Sequence, residues 1–497
     1  MERRIPIFYN AILLTAVNLL LRMVSTSFQV YISGRIGAAG VGLLQLVLTV
    51  GAMAATAGIA GIRTATMYLT AAQLGKNQED NVSCVLSGCM VYSLICSIAV
   101  AAALFYFSPF IAQRWIGDSE ALGALRLIAA TLPITCLCGC MTGYFTAAGR
   151  IRTLAAVEVA EQLCAMGVTL SALHFWAGSN SARAILAVVL GSGCGAALTF
   201  LCLLFLRLSD RRVPGKPIPV AKSILDTALP LALADDLKAG INTTENLMVP
   251  KRLALFPGAA DPLAQFGMVC GMVFPLVMFP ACILFGLNEL LIPEMARCQA
   301  AGSHRRIGYL VRRGLRVALL YGSACCGIIW LLAEGLCQGL YHTPEAAVHL
   351  RRFCILIPML YCDAVTDAMS KGLGQQKRCV VYNIITSAMD VALLFLLLPK
   401  FGMEGYFFSF LVTHIINFAL SLRLLLNVTG EKIPWKIPVL TLIVMLLGIA
   451  GAETFRGYPG KILAFLALYS CLLWLCGIIG KADMGWLKGM LQPTGKR

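Results

Sequence analysis

Charge is what this sequence has least of. Asp, Glu, Lys and Arg make up 13% of its 497 residues, about half their share in a soluble domain. Acidic side chains are the rarer kind, 24 against 40 basic ones. With 59% hydrophobic residues arranged in repeated apolar runs of bilayer length, the chain reads as a polytopic membrane protein. No G-x-x-x-x-G-K-[ST] segment occurs, so a P-loop nucleotide engine is excluded and any driving force is a gradient or potential. No basic n-region, short apolar core and A-x-A site open the chain, so no cleaved signal peptide is expected. Histidine is rare, and His174, His304, His342, His349 and His414 show no metal-ligand spacing on one helix. The nearest pair, His342 and His349, reads as surface. The 20 Cys are scattered through apolar segments as small buried hydrophobes. Cys136, Cys138 and Cys140 alternate and point to different helix faces. No metal site and no catalytic residue is expected.

The polar residues that are present sit where lipid tolerates them least. Ile7 to Ser33 is long enough to cross a bilayer, which takes ~20 residues, yet it carries Asn18, Arg22 and Gln29. With Thr15 and Ser25 they share one helical face. An arginine at mid-bilayer costs ~3 kcal/mol, which points to a water-filled cavity or a partner; the alternative is a side chain that snorkels. The second span, about 41–70, repeats the pattern with Gln45, Thr49, Thr56 and Arg63. The fifth, about 153–176, carries Glu158, Glu161 and Gln162. The seventh, about 223–250, is the most polar: Asp235, Lys238, Asn242, Glu245 and Asn246 form one stripe that must face inward, with Asp236 beside it. The tenth carries Asp363 and Asp367, the eleventh Asn383, Ser387 and Asp390.

Fourteen spans are expected. The clearest boundary is the Pro-rich basic stretch at 208–222. It separates an N-lobe of helices 1–6 (residues 1–207) from a C-lobe of helices 7–12 (223–427). Helices 13 and 14 and a tail (428–497) carry almost nothing polar and read as an addition at the rim. Lys and Arg concentrate in the loops on one side, which places both termini in the cytoplasm. The same distribution accounts for most of the net charge of +16 without nucleic acid. Only Arg22, Arg63 and Lys238 lie in mid-membrane.

The halves echo each other. Ala121, Leu125, Arg126, Pro133 and Gly149 recur at one fixed offset as Ala346, Leu350, Arg351, Pro358 and Gly374, and Arg152 becomes Lys377. Gln45 and Gly51 recur as Gln265 and Gly271. Arg22, Gln29 and Arg35 align with Lys238, Glu245 and Lys251. Two six-helix lobes starting on the same side of the membrane are parallel repeats about a pseudo-twofold along the membrane normal, with a substrate site between them. This is the plan of an alternating-access transporter. Arg22, Arg63 and Lys238 make a cationic patch suited to phosphate or pyrophosphate, and Asn18, Gln29, Asn242 and Glu245 complete the expected substrate face. Glu158, Glu161 and Asp235 either bind a coupling Na+ or H+ or neutralise the basic residues. No other cofactor is expected.

Val30 to Val50 (VYISGRIGAAGVGLLQLVLTV), Gln265 to Ala296 and the KGLGQQK turn at Lys371 to Lys377 resemble the stage V sporulation protein B group. These are polysaccharide-biosynthesis proteins of the superfamily that also holds multidrug and toxic compound extrusion antiporters and lipid II flippases. The resemblance covers spans 1 to 12. It implies 14 helices, two lobes, the bacterial cytoplasmic membrane, and outward flipping of an undecaprenyl-pyrophosphate-linked sugar by a monomer. It also assigns Arg22 and Arg63 to the pyrophosphate, since the lipid II flippases carry cavity arginines in these helices. Span 8 lacks their third arginine, and Lys238 is expected in its place. Rival readings are a cation-coupled multidrug antiporter, which needs a carboxylate-dominated cavity, a membrane-embedded glycan polymerase, which needs a large extramembrane loop, and a non-transporting scaffold.

Overall fold

A computed structural model describes residues 4–59, 61–75, 79–177, 180–209, 221–432 and 434–478; the side chains of 4–19, 22, 75, 79, 80, 151, 177, 230, 231, 234, 289 and 290 fall outside that description. The described residues form helices and no strand. In chain order they are α1 (Arg4–Ile59), α2 (Ile62–Gly75), α3 (Glu79–Phe110), α4 (Ala121–Ala147), α5 (Ile151–Ala172), α6 (Ser181–Leu208), α7 (Ala221–Leu253), α8 (Pro262–Gly267), α9 (Phe274–Met278), α10 (Ala281–Ala300), α11 (His304–Tyr341), α12 (Ala346–Cys354), α13 (Ile357–Gly372), α14 (Gln376–Thr429), α15 (Lys436–Glu453) and α16 (Tyr458–Leu475).

Among the described residues nine helices are long and apolar enough to cross a membrane, or eleven when two bent pairs count as one span each. Two of the nine, Met23–Leu74 and Gln376–Thr429, have the length of two crossings. Each turns at a glycine in a conformation other residues rarely adopt, Gly37 at φ 70° and Gly402 at φ 58°. Counting those as two crossings each, and adding the charge-bearing α7, is consistent with the expected fourteen. The chain is a multi-pass membrane protein.

The helices gather into two compact units, Met1–Met272 with Ser387–Ser409, and Val273–Thr386 with Phe410–Arg497. Close contact thus groups α7 with the first six helices. Most of the linker at 208–222, residues 210–220, lies outside the described residues, as does the tail beyond 478. In the first unit α1 meets α8 through glycines. A Cβ on Gly42 would stand 2.3 Å from the Leu263 carbonyl, and one on Gly267 2.1 Å from that of Ala38. Small residues spaced by four let backbones approach this closely in lipid. In the second unit the end of span 8 breaks at Pro280. Tyr361 Oη donates to the Val277 carbonyl at 2.9 Å and Tyr321 Oη to that of Pro280 at 2.8 Å, so the break is satisfied without water.

The repeated glycines close their helices in the same way. After α4, the amides of Ala148, Gly149 and Arg150 bond to the carbonyls of Tyr144, Thr146 and Phe145. After α13, those of Leu373, Gly374 and Gln375 bond to Met369, Lys371 and Ser370. Both glycines stand at φ 72°, the left-handed residue of a Schellman ending. The repeated prolines differ: Pro133 lies inside the continuous α4, whereas Pro358 opens α13 after a 52° bend from α12.

Candidate functional site

The second span is broken where it carries its cation. α1 ends at Ile59 and α2 starts at Ile62, with Gly61 between them at φ 71°. Arg63 therefore stands in the first turn of a new helix. Its backbone is pressed on α4, where a Cβ on Gly143 would lie 2.4 Å from the Arg63 carbonyl. The side chain is exposed to a cavity of about 560 Å³ inside the first unit. Thr49, Thr56 and Arg63 line it from the α1–α2 side, Asp235, Lys238 and Asn242 from α7, and Ser387 from α14. Thr49, Thr56 and Arg63 belong to the polar face expected from the sequence, whose fourth member, Gln45, is absent from the lining. Thr49 and Thr56 spend their hydroxyl protons on the carbonyls of Gln45 and Ala52, at 2.7 and 2.9 Å, so toward the cavity they offer lone pairs. Arg63, Lys238 and the Asn242 amide are donors there, with the hydroxyls of Thr64, Thr243 and Ser387 beside them.

Neither Arg63 nor Lys238 is held in an ion pair among the described residues. Glu158, exposed on α5, acts on Arg63 at longer range, and Asp235 supplies the one carboxylate in the lining. Two cations and one acid leave the cavity a net positive site, open to an anion.

The other expected residues go elsewhere. Gln29 donates its amide to the Gly271 carbonyl at 3.2 Å, in the π-helical turn Met268–Val273, and is absent from the lining. Glu161 accepts the Thr199 hydroxyl at 2.8 Å between α5 and α6. Glu245 turns away from the cavity into a pocket with Asp390, Tyr406 and Cys270. Asn18 and Arg22 lie in α1, and their side chains fall outside the described residues.

That pocket holds groups the sequence reading did not carry into the site. Asp390 is 6% exposed and accepts the Ser409 hydroxyl at 2.6 Å. It lies beside Glu245. Asp390 falls one turn beyond Ser387 on the polar side of the eleventh span, a signal visible in the sequence. Its pairing with Glu245 is not visible there. The second unit has its own buried polar chain: Thr386 Oγ1 donates to Asn417 Oδ1 at 3.3 Å, and Asn417 Nδ2 to Asp363 Oδ2 at 3.0 Å. Asp367 pairs with Lys371 at 2.6 Å.

The MatE family model matches residues 14–170. Stage V sporulation protein B of Bacillus subtilis is 22% identical over 409 residues, 80% of this chain and 79% of that protein. Among solved structures, the lipid II flippase MurJ in an inward closed conformation superposes with a TM-score of 0.68 at 13% identity, over 93% of this chain and 98% of MurJ. An inward-facing multidrug resistance MATE family transporter of the MOP superfamily gives 0.66 at 15% identity, over 84% of this chain and all of that one. Residues 14–170 are thus similar to the MatE family, and the chain has the fold of the MATE transporters and MurJ.

Proposed function

We propose that this protein is a transporter that flips an undecaprenyl-pyrophosphate-linked sugar outward across the bacterial cytoplasmic membrane, by alternating access, for wall, spore cortex or polysaccharide synthesis. The observation that carries this reading is the cavity that gathers Arg63 and Lys238, neither cancelled by an ion pair, among hydroxyls and an amide. A guanidinium and an ammonium at a water-filled mid-membrane site suit the two phosphates of a pyrophosphate, which needs donors and positive charge. The likeness to stage V sporulation protein B and to the MurJ fold supports the same substrate class. On this reading Arg22 joins the patch from α1. The lobes at 1–207 and 223–427 rock about the linker at 208–222, with 428–497 riding at the rim. The protein works as a monomer with both termini in the cytoplasm, no nucleic acid is involved, and Na+ or H+ drives the cycle through Glu158, Glu161 or Asp235.

Asp235 in the lining and Glu158 near Arg63 favour a second reading, a cation-coupled multidrug antiporter. Bacteria depleted of their own lipid II flippase separate the two. The wild-type gene should restore growth and Arg63→Ala should not, with equal amounts of protein in the membrane. No rescue by the wild-type, together with raised resistance to cationic drugs, would overturn the flippase reading.

A further inference from the structure

α7 carries the cavity residues at its middle and two adjacent cations at its end. Lys251 and Arg252 stand about 12 Å beyond Thr243 at 1.5 Å per residue. Phe395 stands equally far beyond Ser387 on α14, so the two helices run past the cavity in step. At that level Arg252 lies flat on the Phe395 ring, its Cζ 3.5 Å from the centroid. It also donates through Nη2 and Nε to the Phe395 carbonyl, at 2.7 and 3.2 Å. That carbonyl is free for a chemical reason. Its helical partner would be the amide of residue 399, which is Pro399 and has no N–H. Lys251 reaches the other way, to the Arg114 carbonyl. Arg114 belongs to the π-helical turn Ile111–Ile116 that ends α3. The next two amides, Gly117 and Asp118, both bond back to Ala112, at 2.8 and 3.0 Å, and leave that oxygen to the lysine. Phe256 completes the contact by lying against the kink at Gly402, where a Cβ would be 2.8 Å from its ring. Every one of these groups belongs to the first unit.

We propose that Lys251 and Arg252 are a two-pronged latch that shuts the α7 end of the cavity and releases when the cavity opens on that face. The proposal rests on the transporter reading above for its purpose, though not for its test. Arg252 grips a carbonyl that its acceptor's helix cannot reclaim, and Lys251 one that the turn leaves open, so an unlatched state exposes both to water. The cations are at the surface, where water can take them over. Such a contact is firm when dry and reversible when wetted.

Hydrogen–deuterium exchange of the whole protein in lipid nanodiscs tests it without a substrate. Arg252→Met should raise amide exchange in 247–256 and 392–402 at least tenfold, with exchange in α15 unchanged. Lys251→Met should do the same for 111–118. Pro399→Ala is the decisive variant. It gives the Phe395 carbonyl an amide of its own helix to bond, so under the latch exchange at 247–256 rises, whereas if Arg252 is mere glue a straighter α14 lowers it. Arg252→Lys, which keeps the charge and loses the fork and the stack, should fall between wild-type and Met. Exchange within twofold of wild-type for Arg252→Met, a rise shared equally by α15, or a fall for Pro399→Ala would overturn the latch. Failure of the rescue experiment with the exchange result intact would remove the flippase reading and leave the latch standing.

Discussion

Lys238 faces the cavity with no carboxylate in ion-pair distance among the described residues, so on the proposed reading its charge serves binding. A hydrogen bond to a charged group is worth about 1.5–3 kcal/mol, which is roughly ten- to a hundredfold in affinity. Lys238→Gln should therefore lower flipping by that factor in proteoliposomes holding a fluorescent undecaprenyl-pyrophosphate sugar, while the melting temperature in detergent stays at the wild-type value. A fall in melting temperature with unchanged flipping would show the lysine to be structural. At this scale the sequence was partly legible. The recurrence of Thr49, Thr56 and Arg63 marks one face whatever the fold, and the cavity lies on it. Gln29 and Glu245 carried the same kind of signal and went to a carbonyl and a carboxyl pocket instead. Periodicity marks a face as non-lipid; whether that face meets water or another helix depends on its neighbours.

Elements bend here where an amide is missing or a glycine allows it. Among the described glycines that press on backbone, the α1–α8 contact is the tightest. A Cβ on Gly267 would also stand 2.6 Å from the Gly42 nitrogen, and neither partner is a side chain that can swing away. Gly267→Ala should destabilise the protein by about 1–3 kcal/mol, the usual cost of overpacking, and Gly267→Leu should prevent folding. Thermal aggregation in detergent measures both. Gly308→Ala is the control: its Cβ would meet only the end of the Glu431 side chain, which can move, so a small effect is expected. Pro399 and Gly402 stand at the break in α14 and Pro280 between α9 and α10, positions the sequence reading did not single out. What each break exposes was not legible either. The carbonyls freed by Pro399 and near Pro280 find Arg252, Tyr321 and Tyr361 from residues far along the chain, and no local pattern announces such partners.

For the whole molecule, the distribution of Lys and Arg makes a topological claim. A reporter active only outside the membrane should stay silent when fused after residue 215 and be active when fused after residue 256. The reverse result would invert the transport direction proposed here. The alternating apolar runs and their breaks marked a chain of many crossings, because a bilayer leaves the backbone few ways to satisfy itself. The repeat was legible too. The glycines that recur at one offset end α4 and α13 with the same three backbone bonds, since a left-handed residue with a fixed hydrogen-bond pattern is a local demand of sequence. The sequence by itself thus determined the membrane class, the repeated glycine endings and the polar faces, all of which follow from short-range chemistry and from the cost of polar groups in lipid. Tertiary structure alone decided which polar face lines the cavity, that Glu245 lies beside Asp390, and that α7 is gripped by α14 and the turn after α3 at its end. Those depend on which helices become neighbours, and packing between distant segments leaves no period in the chain.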